Sequence, residues 1–344
     1  MQAAAHFRER VIAMNKQRNL GQSSIAISAI GLGCWQFSKG KGLVGGWWPT
    51  LAQETVNRIV ATSLTAGVNW FDTAELYGFG SSETALAKAL TTAGKKNGEV
   101  VVATKWWPMW RTARSIKATI NERLSCLSPF GIDLYQVHQP WALACTASQM
   151  NAMADLVAEY RVRVVGVSNF SGPRMRAAHK ALAARGIPLV SNQVRYSLLD
   201  RRIERNGVLQ AAKELGITII AYSPLAQGLL TAKYHRDPSL IRGRPGPRKW
   251  MTVFKHRGLE RSRPLVTAIE EIAGASHVTP SQVALSWLLQ FHGDTVVAIP
   301  GAVSVGQAEE NAKAMNLCLS DSELEHLDEL SQPFLQSASG QGWP

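Results

Sequence analysis

Residues 100–138 read VVVATKWWPMWRTARSIKATINERLSCLSPFGIDLYQVH. Two apolar, β-branched runs, 100–105 and 132–138, flank a stretch of helical period at 114–127, so the segment predicts strand, helix, strand. A helix long enough to cross over lets two such strands lie parallel in one sheet. In the second run the period of two puts Ile132, Leu134, Gln136 and His138 on one face. The two strands end on Lys105 and His138, an amine and an imidazole.

Outward from this unit the same alternation repeats. Further strands are expected at 27–33, 68–72, 162–167, 189–193, 217–222 and 296–299, which makes eight. Helices are expected at 53–65, 82–90, 148–159, 173–184, 207–215, as a pair spanning 264–291, and at 307–315. Thr279, Pro280 and Gln282 form a helix start with a capping box, and Ala284, Trp287, Leu288 and Phe291 follow as a core stripe. Eight βα units predict a closed (β/α)8 TIM barrel with long rim loops and a short N-terminal β-hairpin. An open doubly wound sheet more often has fewer strands and a glycine-rich first turn. Here the first strand ends in GLGCW at 31–35, which is not G-x-G-x-x-G.

The chain has 344 residues, 46% hydrophobic and 18% charged, without an apolar run long enough to span a bilayer. That composition excludes disordered, collagenous and membrane classes. Residues 1–13 lack the apolar core of a secretory signal and read as an N-terminal extension, with residues 14–344 as a single barrel domain. Cys34, Cys126, Cys145 and Cys318 are scattered, without C-x-x-C or zinc-ligand spacing, so no metal site is expected and a reducing, cytoplasmic setting fits. The net charge of +12 would suggest nucleic acid, but between Arg242 and Arg263 six Arg and two Lys face the single Glu260. Most of the excess therefore lies in one basic loop, and neither nucleic acid nor membrane is expected as a partner.

In a barrel, chemistry gathers at the C-terminal ends of the strands. The strand at 68–72 ends on Asp72, Tyr77 follows in the loop, and Lys105 and His138 end the next two strands. Alone, each has an ordinary structural explanation; together on one rim they point to a site. An ammonium beside a phenol favours the phenolate, so Lys105 is expected to lower the pKa of Tyr77. Asp72 would hold Lys105 charged, and His138 would donate a hydrogen bond to a carbonyl oxygen. These groups can receive the charge that appears when a hydride reaches a carbonyl carbon.

From about Arg18 to Leu330 the chain resembles the aldo-keto reductases. The matching pieces are GLGCW at 31–35, FDTAELYG at 71–78, VATKW at 102–106, DLYQVHQP at 133–140, GVSNF at 166–170, SNQVRYS at 191–197, AYSPLAQGLLTAKY at 221–234 and IPGAVSVGQAEEN at 299–311. The resemblance implies a barrel that reduces aldehydes or ketones with NADPH, without metal or flavin, and NADH is the alternative cofactor. It places Asp72, Tyr77, Lys105 and His138 on the family's tetrad, with Tyr77 as general acid. It implies that Ser168, Asn169 and Gln193 hold the carboxamide, Tyr222 stacks on the nicotinamide, and Ser223, Pro224, Leu225, Gln227 and Gly228 follow the pyrophosphate. Trp35 borders the cofactor as well, and Gly301, Gln307, Glu310 and Asn311 take the adenosine end. After I-P, where many members carry basic residues, this chain has Gly301-Ala302-Val303. In the long-loop branch, similar to pyridoxal reductases and potassium-channel β subunits, the position of Lys233 serves the 2′-phosphate, and Arg242, Arg244 and Arg248 follow it.

Eight of the eleven tryptophans lie in or beside the expected rim loops. Trp35, Trp48, Trp106 and Trp141 are taken as walls for the substrate. A neutral, bulky or aromatic carbonyl compound fits them: a pyridoxal-like aldehyde, or a cyclic ketone such as a keto sugar or a keto-sesquiterpenoid toxin. Such an enzyme would serve detoxification. The rival reading is a cofactor-binding redox sensor, a partner-binding module with slow turnover. Oligomeric state is open at this level.

Overall fold

The computed structural model describes residues 17–42 and 45–335, apart from the side chains of Pro247 and Arg248. The expected extension at 1–13 and the side chain of Arg248 lie outside the described residues. Eight strands form one parallel sheet in chain order: β3 (Leu32–Gly33), β4 (Trp70–Asp72), β5 (Val101–Trp106), β6 (Ile132–Val137), β7 (Val162–Ser168), β8 (Leu189–Arg195), β9 (Thr218–Tyr222) and β10 (Val296–Ala298). Parallel bridges from Ile30 to Ala298 and from Gly33 to Gly301 join the first strand to the last and close the barrel.

The expected first strand, 27–33, is divided. Its beginning, β2 (Ala26–Ile27), pairs antiparallel with β1 (Arg18–Asn19), and only Leu32–Gly33 enters the barrel. The cause is packing at the N-terminal end, where Leu20, Ile25 and Ile27 bury themselves with Trp70, Leu134, Val190 and Val297 and plug the bottom. Full burial of each such side chain contributes roughly 1.5–3 kcal/mol. Arg18 fastens the hairpin by donating to the backbone oxygens of Val296 and Leu289. Gly31 is required where the chain passes the plug, since a Cβ there would stand 2.3 Å from the Trp70 ring.

The covering helices are α1 (Gln53–Thr65), α2 (Ser81–Thr92), α3 (Arg114–Leu127), α4 (Thr146–Ala158), α5 (Gly172–Ala183), α6 (Val208–Leu215), a single turn α7 (Lys233–Arg236), α8 (His256–Ala275), α9 (Pro280–Phe291), α10 (Val305–Lys313) and α11 (Asp321–Ser331). The capping box of Thr279 and Gln282 opens α9 as expected. Two features differ from expectation. Helix α8 begins at His256 and runs through Pro264, so the last eight residues of the presumed basic loop, 256–263, are helical. Helix α11 was not expected, although Ser320 and Glu323 form the same kind of capping box.

Candidate active site

The tetrad residues stand at the C-terminal ends of β4, β5 and β6 and in the loop between β4 and α2. Backbone bonds shape that loop: the Thr73 N–H donates to Ala103 O at 2.8 Å and the Tyr77 N–H to Ala74 O at 3.0 Å. The Lys105 ammonium is fully buried. It donates to Asp72 Oδ1 and, at 2.9 Å, to Thr73 O, and its Nζ stands 3.5 Å from Tyr77 Oη. The Tyr77 and His138 rings meet edge to face, with centroids 5.7 Å apart.

Burial and charge act against each other here. Burial alone would depress Lys105, yet Asp72 and Tyr77 carry its pKa above the ordinary lysine value. Burial pushes the Tyr77 phenol up, and Lys105 only partly offsets that. Lys105 thus acts downward on Tyr77 as expected, while desolvation of the phenolate outweighs it and leaves the phenol above its ordinary value. Tyr77 is a protonated phenol at neutral pH. Burial, reinforced by Lys105, drives His138 well below its ordinary value, so its imidazole is neutral, and Nδ1 has no hydrogen-bond partner among the described residues.

For Gln136 the residue pattern predicts only an inward face. In the structure its Nε2 donates to Asp72 Oδ2 at 3.1 Å, and Gln193 Nε2 donates to the same oxygen at 3.0 Å. Alternation along β6 was the signal that could have recruited Gln136, because it shares the face of His138.

The tetrad opens into a cavity of about 1250 Å³. Its lining contains all of the residues expected around the cofactor: Trp35, Ser168, Asn169, Gln193, Tyr222, Ser223, Pro224, Leu225, Gln227, Gly228, Lys233, Arg244, Gly301, Gln307, Glu310 and Asn311. Asn169 Nδ2 donates to Ser168 Oγ at 3.2 Å, and Tyr222 Oη donates to Asn169 Oδ1 at 3.1 Å. After β9, Ser223, Ala226 and Gln227 are held at positive φ, strain that concentrates at functional sites. At Gly301 a Cβ would fall 2.0 Å from Gln36 Nε2, so the missing side chain leaves room for Gln36.

Arg244 is buried, its guanidinium carbon 4.7 Å from the Tyr234 ring centroid and 4.2 Å from that of Phe254. Its Nε and Nη1 lack hydrogen-bond partners among the described residues. Lys233 Nζ lies 4.9 Å from the same Tyr234 ring. Arg242 is exposed and outside the cavity lining, while Arg261 and Arg263 ride on α8, engaged with Pro333 O and Glu260. The basic segment is thus divided between a cavity wall and a helix.

The tryptophans are also sorted. Trp35 stacks on Tyr77 with centroids 5.9 Å apart and an 18° tilt, and Trp47 and Trp48 pack on Trp35. Trp48 and Trp141 line the cavity as expected. Trp106 does not. It is fully buried outside the barrel, where Nε1 donates to Ser115 Oγ at 3.1 Å, because Lys105 faces inward and its neighbour on a strand must face outward. Trp107 takes the place assigned to Trp106, with its ring 5.3 Å from His138, edge to face.

Among the described residues no group of three or more His, Cys, Asp or Glu could hold a metal ion, and no helix is long and apolar enough to cross a membrane. The model of the aldo/keto reductase family matches residues 29–332. The chain is 34% identical to the chloroplastic pyridoxal reductase of Arabidopsis thaliana, covering 87% of this chain and 82% of that protein. It is 30% identical to the aldo-keto reductase yakc [NADP(+)] of Schizosaccharomyces pombe, over 91% and 90% of the two chains. Among solved structures, the glycerol dehydrogenase AKR11B4 of Gluconobacter oxydans superposes with a TM-score of 0.80 at 25% identity, covering 96% of this chain and 99% of that one. A buried ammonium facing a phenol and an imidazole at the mouth of a closed barrel thus occurs in a chain matched almost end to end, and the protein belongs to the aldo/keto reductase family of oxidoreductases.

Proposed function

We propose that the protein reduces an aldehyde or ketone to the alcohol, with NADPH as cofactor and Tyr77 as general acid. The observation that carries this reading is the buried Lys105, fixed by Asp72 and Thr73 and facing a protonated Tyr77 beside a neutral His138. Bound in the cavity, the reduced nicotinamide supplies the hydride for the carbonyl carbon.

The residues of the chain account for the rest. Tyr77 gives its phenolic proton to the carbonyl oxygen as charge develops there, and the Lys105 ammonium stabilises the phenolate left behind. The neutral His138 ring donates a hydrogen bond to the same oxygen and orients it. Asp72 keeps Lys105 charged, and Gln136 and Gln193 hold Asp72 in place.

The lining fits a dinucleotide. Ser168, Asn169 and Gln193 would hold the carboxamide, Tyr222 the ring face, the strained segment after β9 the pyrophosphate, and Gln307, Glu310 and Asn311 the adenosine. A buried guanidinium with two unmatched nitrogens costs free energy that a phosphate would return through charge-assisted bonds. Arg244 with Lys233 therefore favours NADPH over NADH, in keeping with the cofactor named for the S. pombe relative. Trp35, Trp48, Trp107 and Trp141 form an apolar, flat-walled entrance suited to a neutral aromatic or bulky carbonyl, such as a pyridoxal-like aldehyde or a cyclic ketone.

The test is steady-state oxidation of NADPH and, separately, NADH against pyridoxal, aromatic aldehydes, diketones and cyclic ketones, with Tyr77→Phe as the blank. Removing the acid should lower kcat by roughly 10²–10⁴-fold with cofactor affinity nearly unchanged. A Tyr77→Phe enzyme that keeps most of its rate would overturn the assignment. Cofactor binding without any turnover would favour a sensor.

A further inference from the structure

The loops after β5 and β6 are joined to each other above the cavity. Met109 bridges antiparallel to Ala142, and the Leu143 N–H donates to Arg111 O at 2.9 Å. Arg111 is braced from behind by Glu75 at 2.6 Å, and the other oxygen of Glu75 accepts the Trp107 N–H at 3.0 Å. This frame holds four large apolar side chains out in solvent: Met109 is 37% exposed, Trp141 46%, Leu143 62% and Trp110 80%. Trp110 is presented at φ 58°, a strained conformation for a bulky residue. Clustered apolar exposure of this kind marks a binding surface.

The platform is continuous with the site. From His138 the rings pass to Trp107 at 5.3 Å and from Trp107 to Trp141 at 6.4 Å, both edge to face. Trp107 and Trp141 line the cavity, while Trp141 is also part of the exposed platform. A molecule whose carbonyl group meets Tyr77 and His138 therefore has an apolar path to the surface.

We infer that Met109, Trp110, Trp141 and Leu143 form a subsite for the apolar tail of the carbonyl substrate, so that the preferred substrates carry an extended alkyl or similar hydrocarbon chain. The inference rests on the site being one for carbonyl reduction. It adds a substrate class that the walls of the cavity alone do not specify, since those walls suit a compact aromatic compound equally well.

The experiment compares kcat/KM for n-alkanals from propanal to dodecanal, with NADPH, in the wild type, Leu143→Asp and Trp110→Asp. Both side chains are exposed, so the substitutions leave the core untouched. Full burial of a methylene corresponds to about a fourfold gain, and an open platform should give about twofold for each methylene that reaches it. The wild type is expected to show that rise, and the variants to lose it for long aldehydes while reducing propanal at the wild-type rate. Equal chain-length profiles in all three proteins, with propanal turned over normally, would overturn the subsite and leave the reductase reading intact. Absence of turnover on every aldehyde in the wild type itself would count against the reductase reading. Quenching of tryptophan fluorescence by propanol and decanol then tests the platform independently of turnover. Tighter binding of decanol that Leu143→Asp abolishes supports the subsite, and equal binding of the two alcohols overturns it. Conversion of a dimer to a monomer by Leu143→Asp, with the chain-length profile unchanged, would make the face a contact between copies and would also overturn it.

Discussion

Two buried ionic clusters flank strand β8, and they are completed differently. On the inner side, Gln193 reaches Asp72 and through it Lys105. Just past the strand, Tyr196 Oη donates to Glu204 at 2.7 Å, and Arg201 binds Glu204, Asp328 and Ser331 at 2.6–2.8 Å. The Arg201 guanidinium also lies 4.8 Å from the Trp287 ring centroid and 5.1 Å from that of Phe291. This outer cluster ties α11 and α9 to the barrel. The inner one and its surroundings keep unmatched atoms, His138 Nδ1 and two nitrogens of Arg244, turned to or near a cavity. A cluster whose guanidinium and carboxylates are paired with one another serves to stabilise the fold. An incomplete one gains by binding something.

The comparison can be broken most forcefully at Arg201. Arg201→Met should destabilise the protein by about 3–5 kcal/mol, because it removes a buried guanidinium and leaves the half-buried Glu204 and Asp328 without their partner. Urea denaturation measures the loss, and kcat of the folded fraction should not change. A matching fall in kcat would show that the outer cluster serves the chemistry as well.

The next effect is a dependence on pH. Burial would raise Glu204, but His292, whose Nε2 stands 3.6 Å away, and hydrogen bonds from Arg201 and Tyr196 hold its carboxyl down at about 2 from an ordinary 4.5. A depressed carboxyl contributes stability above its unfolded value and loses it as pH falls through the folded one. Glu204→Gln should therefore cost up to about 3 kcal/mol at pH 6, with the difference from wild type shrinking between pH 4.5 and 2. A constant difference over that range would remove the ionic explanation.

The smallest effect sharpens the inner side. Arg244→Met should leave stability almost unchanged and weaken NADPH by about 10–100-fold, the loss of one charge-assisted bond to phosphate, while NADH is barely affected. Isothermal titration with each cofactor measures this. Equal weakening of both would place the phosphate elsewhere.

Much of this contrast was legible in the residue pattern. Asp72, Lys105 and His138 sit where β-branched runs stop, and alternation along each run settles which way they face. The same rule, applied one residue further, would have turned Trp106 outward and brought in Trp107. Helix α11 carries its start signal in Ser320 and Glu323, but its apolar face is too short to show a helical period. The division of the first strand was not legible, since Ile25 and Ile27 would suit a barrel strand as well as a plug.

By itself, then, the sequence determined the alternation of strands and helices and the polar residues Asp72, Lys105 and His138 at three strand ends, because hydrogen-bond geometry imposes a period that side chains must obey. Only the tertiary structure decided which arginine of the basic segment enters the cavity, which tryptophans wall it, and how the charges of the outer cluster are paired. Loops impose no period, and the direction of a loop side chain depends on contacts made far away along the chain. Arg244 is buried because Tyr234 and Phe254 close around it, and Arg201 is saturated because Asp328 and Ser331 arrive from the last helix.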